Sequence, residues 1–418
     1  MQHAKNNDKD IIRRLATEIA EIAALPEQTE TAELWRAVND LKSIRPTVRI
    51  YQLPWRELDV NGELELQCQD SWARKLENQF RQTLYQWKYM RHDIVVEPTV
   101  KVPYAIHHTG FGISTQMEEL PHDEKGGVTS KHYDVQIANE DDIEKIKFPT
   151  LTPQPEETKE RVAYTKELLG DILDVVPQGR VKHSYSPWDR LAEWCSPEQV
   201  LMDLALRPDF IHSLMERLTS AYMHELDQLE EKSLLSISNG NYGVGEGGLG
   251  FTNELPDQEK PGKPVRLEDH WGGAMAQIFS EVSPEMHEEF ALAYEQRLLN
   301  RFGLSYYGCC EPLDRKVDIV SRNILTLRKI SMSPWVNPKR GAEAINGRFV
   351  YSAKPNPAFL ATKGLWDRKS AEKELRNILE VTEGKNVELI LKDVSTVCFE
   401  PSRVWEWCNM AMDLVLSY

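Results

Sequence analysis

No run of apolar residues in this 418-residue chain approaches the roughly 18 needed to cross a membrane as a helix. Basic residues are in deficit: 50 Lys and Arg against 66 Asp and Glu leave a formal charge of −16. Nucleic acid and anionic membrane surfaces both demand a basic face, so neither is expected as a main partner. Cysteine is sparse, with six in the whole chain. Cys68, Cys195, Cys309, Cys310, Cys398 and Cys408 make no dense disulfide framework, and thiols that are free or on a metal are the expectation. The first eight residues are polar and hold no signal-peptide core, so a cytoplasmic home is expected. No Gly-x-Gly-x-x-Gly turn follows the first strand, which weighs against an open dinucleotide-binding sheet. No Gly-Lys-Ser/Thr accompanies the glycines, which weighs against a phosphate loop. No internal repeat is visible.

What is present describes a globular chain. Hydrophobic residues make up 41% and charged residues 28%, enough for one large domain or two ordinary ones. Residues 10–43 carry helical periodicity (Ile11, Ile12, Leu15, Ile19, then Leu34, Trp35 and Leu41 beyond Pro26). After this helical extension, over 1–45, apolar runs alternate with amphipathic stretches. Strands are predicted near 48, 94, 180, 234, 304, 329, 348 and 387. Between them lie helices such as the stripe Phe210, Leu214, Leu218, Tyr222, Leu226, Leu229. Eight strand–helix steps over 46–418 predict a (β/α)8 TIM barrel with an N-terminal helical extension, in the α/β class. Residues 240–268 interrupt the rhythm with six glycines by 250 and then Pro256, Pro261 and Pro264, and over 240–275 they predict a mobile lid.

The barrel reading centres the chain on Leu304–Ser305–Tyr306–Tyr307–Gly308–Cys309–Cys310–Glu311–Pro312, a buried strand running out into two thiols and a carboxylate. Chemistry in such folds sits at the carboxyl ends of strands. Those ends bring forward Glu97, His183, Tyr185, Asn239, Asn241, Tyr307, Cys309, Ser333, Trp335, Lys354, Asn356 and Cys398. Side chains alternate along a strand, so Tyr307 and Cys309 are expected on one face and Cys310 on the other. Cys309 and Cys398, from two strands, could share a metal, since a thiolate pair with one or two N/O ligands and an open position is what catalytic zinc requires.

Four segments carry a resemblance: Asp141-Asp142-Ile143-Glu144-Lys145-Ile146-Lys147-Phe148-Pro149; Val200-Leu201-Met202-Asp203-Leu204 with Pro208-Asp209-Phe210; Ser283-Pro284-Glu285-Met286; and Asn356-Pro357-Ala358. In their order and spacing, from about residue 138 to the C-terminus, they resemble the uroporphyrinogen decarboxylase (URO-D) superfamily, nearest its cobamide-dependent methyltransferase branch. The resemblance implies a TIM barrel, a homodimer, and methyl transfer to or from a corrinoid on a separate partner protein, because no Asp-x-His-x-x-Gly cobalamin signature occurs here. In that branch a His-x-Cys and a late Cys hold zinc. The first falls on Tyr307-Gly308-Cys309 and the second on Cys398-Phe399-Glu400-Pro401. Both cysteines are kept and the histidine is a tyrosine, so the third ligand is open among Glu311, Cys310, His183, Glu246 and His270.

The expected activity is therefore that of a corrinoid-linked methyltransferase acting on a small molecule, assisted by zinc on Cys309, Cys398 and Glu311. Its catalytic candidates are His183, Tyr185, Asn239 and Lys354; its substrate-binding candidates are Glu97, Asn241, Tyr307, Trp335 and Asn356. A metal-free decarboxylase or lyase using Lys354 or His183 is the alternative, and a non-catalytic barrel is a third. The resemblance implies, for the decarboxylase itself, an early arginine-rich turn that grips the substrate's carboxylates, and Tyr51-Gln52-Leu53-Pro54-Trp55-Arg56 does not match that pattern, which weighs against it. Each candidate also has a plainer role: buried cysteines fill space, Trp335 can simply pack in the core, and a rim lysine is often merely solvated.

Overall fold

A computed structural model describes residues 6–114, 117–119 and 131–417. Seven strands form one parallel sheet: β1 (Thr47–Ile50), β4 (Ser184–Tyr185), β5 (Trp271–Ala274), β6 (Leu304–Tyr307), β7 (Leu327–Met332), β8 (Val350–Ala353) and β9 (Val387–Leu391), in the spatial order β1-β9-β8-β7-β6-β5-β4. Register carries through from Tyr307↔Ile330 to Ile330↔Tyr351 and Tyr351↔Val387. β9 is buried at all five positions, as expected of a parallel strand covered on both faces. Helices cover the outer side, with the stripe from Phe210 to Leu229 buried in the helix Pro208–Glu231.

The sheet departs from eight regular steps in three places. The strand expected near 94 falls at β2 (Thr99–Pro103), which pairs with β3 (Asp174–Gln178) outside the main sheet. The stretch near 234 contributes only an isolated bridge, Arg180↔Leu235. The strand Trp271-Gly272-Gly273-Ala274 was not expected, because glycine is a poor strand former. Its glycines are there for closeness: a Cβ on Gly272 would strike the Phe302 ring, and one on Gly273 would meet the Gly245 backbone. Among the described residues no ladder joins β4 to β1, so the row of strands is not closed by hydrogen bonds.

The glycine-rich segment packs against β1, β6 and β9. Rather than lying as a flap over the mouth, residues 243–252 pack inward. Arg49 Nη1 of β1 donates to Gly247 O (2.5 Å), and Gly248 N donates to Glu388 Oε1 of β9 (3.1 Å). A Cβ on Gly248 would collide with Trp35 and Glu388, which explains the residue type. Asn39 Nδ2 holds Leu249 O and Phe251 O at 2.8 and 2.6 Å. The helical extension is thus integral: Trp35 of the second helix (Glu27–Asn39) packs with Leu249, Phe251 and Ile390. The first helix (Asn6–Ala23) instead belongs to a second core with β2, β3 and the helices Ser71–Tyr89 and Pro155–Leu169.

Candidate active site

The carboxyl ends of β1, β6, β8 and β9 converge on one cluster of ionisable groups. Lys392, one residue past β9, is its hub. Its Nζ lies 2.7 Å from Glu246 Oε2, 3.1 Å from Asp393 Oδ2 and 3.2 Å from Cys309 Sγ. Tyr51, just past β1, donates its hydroxyl to the same Glu246 oxygen (2.8 Å). Lys354, just past β8, donates to Tyr306 Oη (2.8 Å) and Ser352 Oγ (2.7 Å). Lys354, Lys392 and Cys309 are buried. Glu246 comes from the inward-folded glycine-rich segment, which is why that segment matters to the site.

Burial sets the protonation states and the neighbours adjust them. Lys354 is pushed down to about 7 by burial, partly offset by Glu388 and reinforced by the Lys392 charge. Burial also works against Lys392, but Cys309 and Glu246 outweigh it and hold its ammonium above the ordinary value. Glu246 loses to burial and gains more from Lys392 and Tyr51, so its carboxylate sits below the usual range. The thiols of Cys309 and Cys310 lie 3.2 Å apart. The hydrogen bond between them raises the first and lowers the second, so the pair gives up one proton readily and the other reluctantly.

Of the residues singled out from the sequence, Lys354 and Cys309 stand in this cluster. His183 lies nearby on the wall of a cavity of about 270 Å³ shared with Tyr51 and Glu246. It bonds His270 Nδ1 at 3.2 Å, and burial keeps its imidazole neutral. Tyr185 packs edge-on against Tyr222 of the outer helix layer. Glu97 and Asn241 line a separate, larger cavity of about 610 Å³; Glu97 pairs with Lys101 at 2.6 Å, and Asn241 holds Val95 O at 2.8 Å.

The other candidates are occupied elsewhere. Asn239 uses its amide to hold Thr252 O and Leu255 O, each at 2.8 Å, and to accept from Thr252 N. Asn356 caps the short helix Pro357–Ala361, and Trp335 is 70% exposed. Tyr307 points away from the cluster, donating to Glu295 Oε2 (2.6 Å) and meeting His287 Nε2 (2.7 Å). The expected sharing of a face by Tyr307 and Cys309 fails at Gly308, whose φ of +96° breaks the alternation. A side chain there would strike Leu313, so only glycine serves. The inward tyrosine is Tyr306.

The proposed zinc ligands do not fit a zinc site. Cys398 does not meet Cys309; its thiol donates to Ala361 O at 3.6 Å. Glu311 spends both oxygens on backbone N–H groups, those of Ala276 (3.0 Å) and Cys309 (2.9 Å). The Lys392 ammonium lies 3.2 Å from Cys309 Sγ, so the thiol already has a cation beside it. Among the described residues no three His, Cys, Asp or Glu side chains are placed to hold a metal.

The hub, Lys392, and its partner Tyr51 went unseen in the sequence. A signal existed: Glu388, Ile390 and Lys392 alternate along one face of β9, and ending the strand at Leu391 cut off the last of them.

No protein-family model and no curated protein sequence matches this chain. Among solved structures it is similar to a methyltransferase from Methanosarcina mazei, at 11% identity and a TM-score of 0.49, over 92% of this chain and 98% of that one. A likeness at that level fixes neither the fold nor the activity. No described helix is long and apolar enough to cross a membrane.

Proposed function

We propose that this chain is a methyltransferase that moves a methyl group between a small methylated substrate and a corrinoid on a separate protein. The observation that carries the reading is the Lys354–Lys392–Cys309 cluster at the carboxyl ends of the strands. Breaking a methyl–oxygen or methyl–nitrogen bond requires a proton for the departing heteroatom. An acid with a pKa near the working pH delivers it best, and Lys354, at about 7, meets that condition. Tyr306 and Ser352 accept hydrogen bonds from Lys354 and orient its amine. Glu246 fixes Lys392, and Tyr51 fixes Glu246. The corrinoid supplies the methyl-accepting cobalt when its protein docks. The segments that resemble the cobamide-dependent branch support the same class.

Free cob(I)alamin can stand in for the corrinoid protein. The purified chain is expected to form methylcobalamin, read by absorbance, from at least one donor among methanol, methylamines and methoxybenzoates. Lys354→Met should slow the transfer by about 10²–10⁴-fold, the usual worth of a general acid. A folded chain that forms methylcobalamin from none of them sinks the reading.

A decarboxylase or lyase is the second reading, and Lys354 itself favours it. A desolvated lysine beside another cation is the arrangement that makes a Schiff-base nucleophile. Borohydride reduction in the presence of pyruvate, followed by mass spectrometry, would then leave an adduct on Lys354. An unmodified Lys354 counts against it.

A further inference from the structure

The 270 Å³ cavity beside the cluster has two cations on its wall, Arg49 and Lys182. Neither forms an ion pair with an acidic side chain among the described residues. Arg49 spends one nitrogen on Gly247 O (2.5 Å), and its guanidinium stacks over Tyr51, 4.3 Å from the ring centroid. Its Nη1 and Nη2 lie 2.6 and 2.7 Å from where a Cβ on Gly243 would be, so glycine there is what makes room for the fork. Lys182 has no hydrogen-bond partner among the described residues, and it borders the larger cavity as well. The one acidic side chain on that wall, Glu246, is already engaged by Lys392 and Tyr51, so in a chain of net charge −16 this cavity presents two cations to a single shared carboxylate, an excess of positive charge that suits an anion. Burial lowers the pKa of both, and Arg49 lowers Lys182 further, while Glu246 pulls each of them the other way without restoring it. A bound anion would relieve both.

We propose that this cavity is a subsite for the carboxylate of the substrate, so that the methyl donor is a small carboxylic acid. This rests on the methyltransferase reading for its place in the reaction. The planar guanidinium matches a carboxylate through two parallel N–H···O bonds. Tyr51, Tyr242 and Trp271 supply flat walls for the body of the molecule. Glu246 stands on the same wall, and its negative charge favours a monoanion over a doubly charged phosphate. A carboxylate anchored on Arg49 and Lys182 leaves the rest of the substrate against Glu246 and Tyr51, whose bond partners lead to Lys392 and Cys309.

The test compares 2-methoxybenzoate with its neutral isostere 2-methoxybenzamide by calorimetry on the full chain, with methoxyacetate and dimethylglycine as smaller carboxylates. At least one carboxylate is expected to bind, and the benzoate should bind ten-fold or more tighter than the amide. Lys182→Gln and Arg49→Gln should each reduce that preference to two-fold or less. Lys182 is exposed, so its variant stays informative if the Arg49 variant fails to fold. Equal binding of acid and amide, no binding of any carboxylate, or an undiminished preference in Lys182→Gln would each overturn the proposal. Binding is read without turnover, so the two readings fail separately. Retained carboxylate preference with no methylcobalamin from any donor leaves the subsite and removes the methyltransferase. Methyl transfer that proceeds equally from neutral donors and in Lys182→Gln does the reverse.

Discussion

Lys354 and Glu295 are both buried and are shifted in opposite senses, so they leave opposite marks on stability. Lys354 is held down to about 7. Above that pH the folded lysine has lost a proton that the unfolded one keeps until about pH 10.4. Stability therefore rises with pH across that window. Lys354→Met should remove this rise, so the difference in urea midpoint between the two proteins should depend on pH between 7 and 9. A constant difference would mean that Lys354 stays charged in the fold. Glu295 is pushed up to about 8 by burial, against the pull of the Tyr307 hydrogen bond, and its Oε1 has no partner among the described residues. Its folded form keeps a proton that the unfolded form loses above about pH 4.3. Stability from this group falls as pH rises to about 8. Glu295→Gln should flatten that fall and make the protein the more stable of the two at pH 8. Denaturation at pH 6 and pH 8 checks the sign.

At the scale of the element, the glycine-rich segment is held by a buried ion pair. Lys329 Nζ and Glu388 Oε2 lie 2.8 Å apart with both side chains fully buried, and Glu388 also accepts from Gly248 N. Removing one partner of such a pair typically costs about 3–5 kcal/mol, and Lys329→Met should lower stability by that amount in urea. Replacing both charges with apolar groups is often nearly neutral. Here Lys329→Met with Glu388→Leu should recover only part, because Gly248 N–H is left buried and unpaired at a cost of about 1–3 kcal/mol. Full recovery would show that the segment does not depend on that bond.

At the scale of the whole molecule, the first helix is structural cover for a second core. Ile12, Leu15, Ala16 and Ile19 bury against a surface that includes Phe80, Val100 and Leu168. Each large aliphatic side chain is worth about 1.5–3 kcal/mol when fully buried, so together they approach the net stability of a typical domain. Deleting residues 1–23 should expose this face, lower the melting temperature by more than about 10 °C and cause aggregation visible in light scattering. An unchanged melting temperature would show that the second core does not need the helix.

The local order of this chain followed from its pattern. Apolar runs at period two and 3.6, broken by glycine and proline, predicted β1, β6, β7, β8 and β9 and the helices between them, because those elements bury one continuous set of neighbours. The α/β class and the place of Cys309 and Lys354 at strand ends came with them. Three things were decided only by tertiary structure. Gly308 broke the alternation beyond β6, so that Cys309 faces the cluster with Tyr306 while Tyr307 faces away, which is a matter of one backbone dihedral. The segment around Gly245 and Gly248 became an inner wall rather than a lid, because its glycines admit Tyr306, Glu388 and Trp35 at contact distance. Lys392, Glu246 and Tyr51 met across nearly the whole length of the chain, a coincidence in space that no spacing along the sequence records.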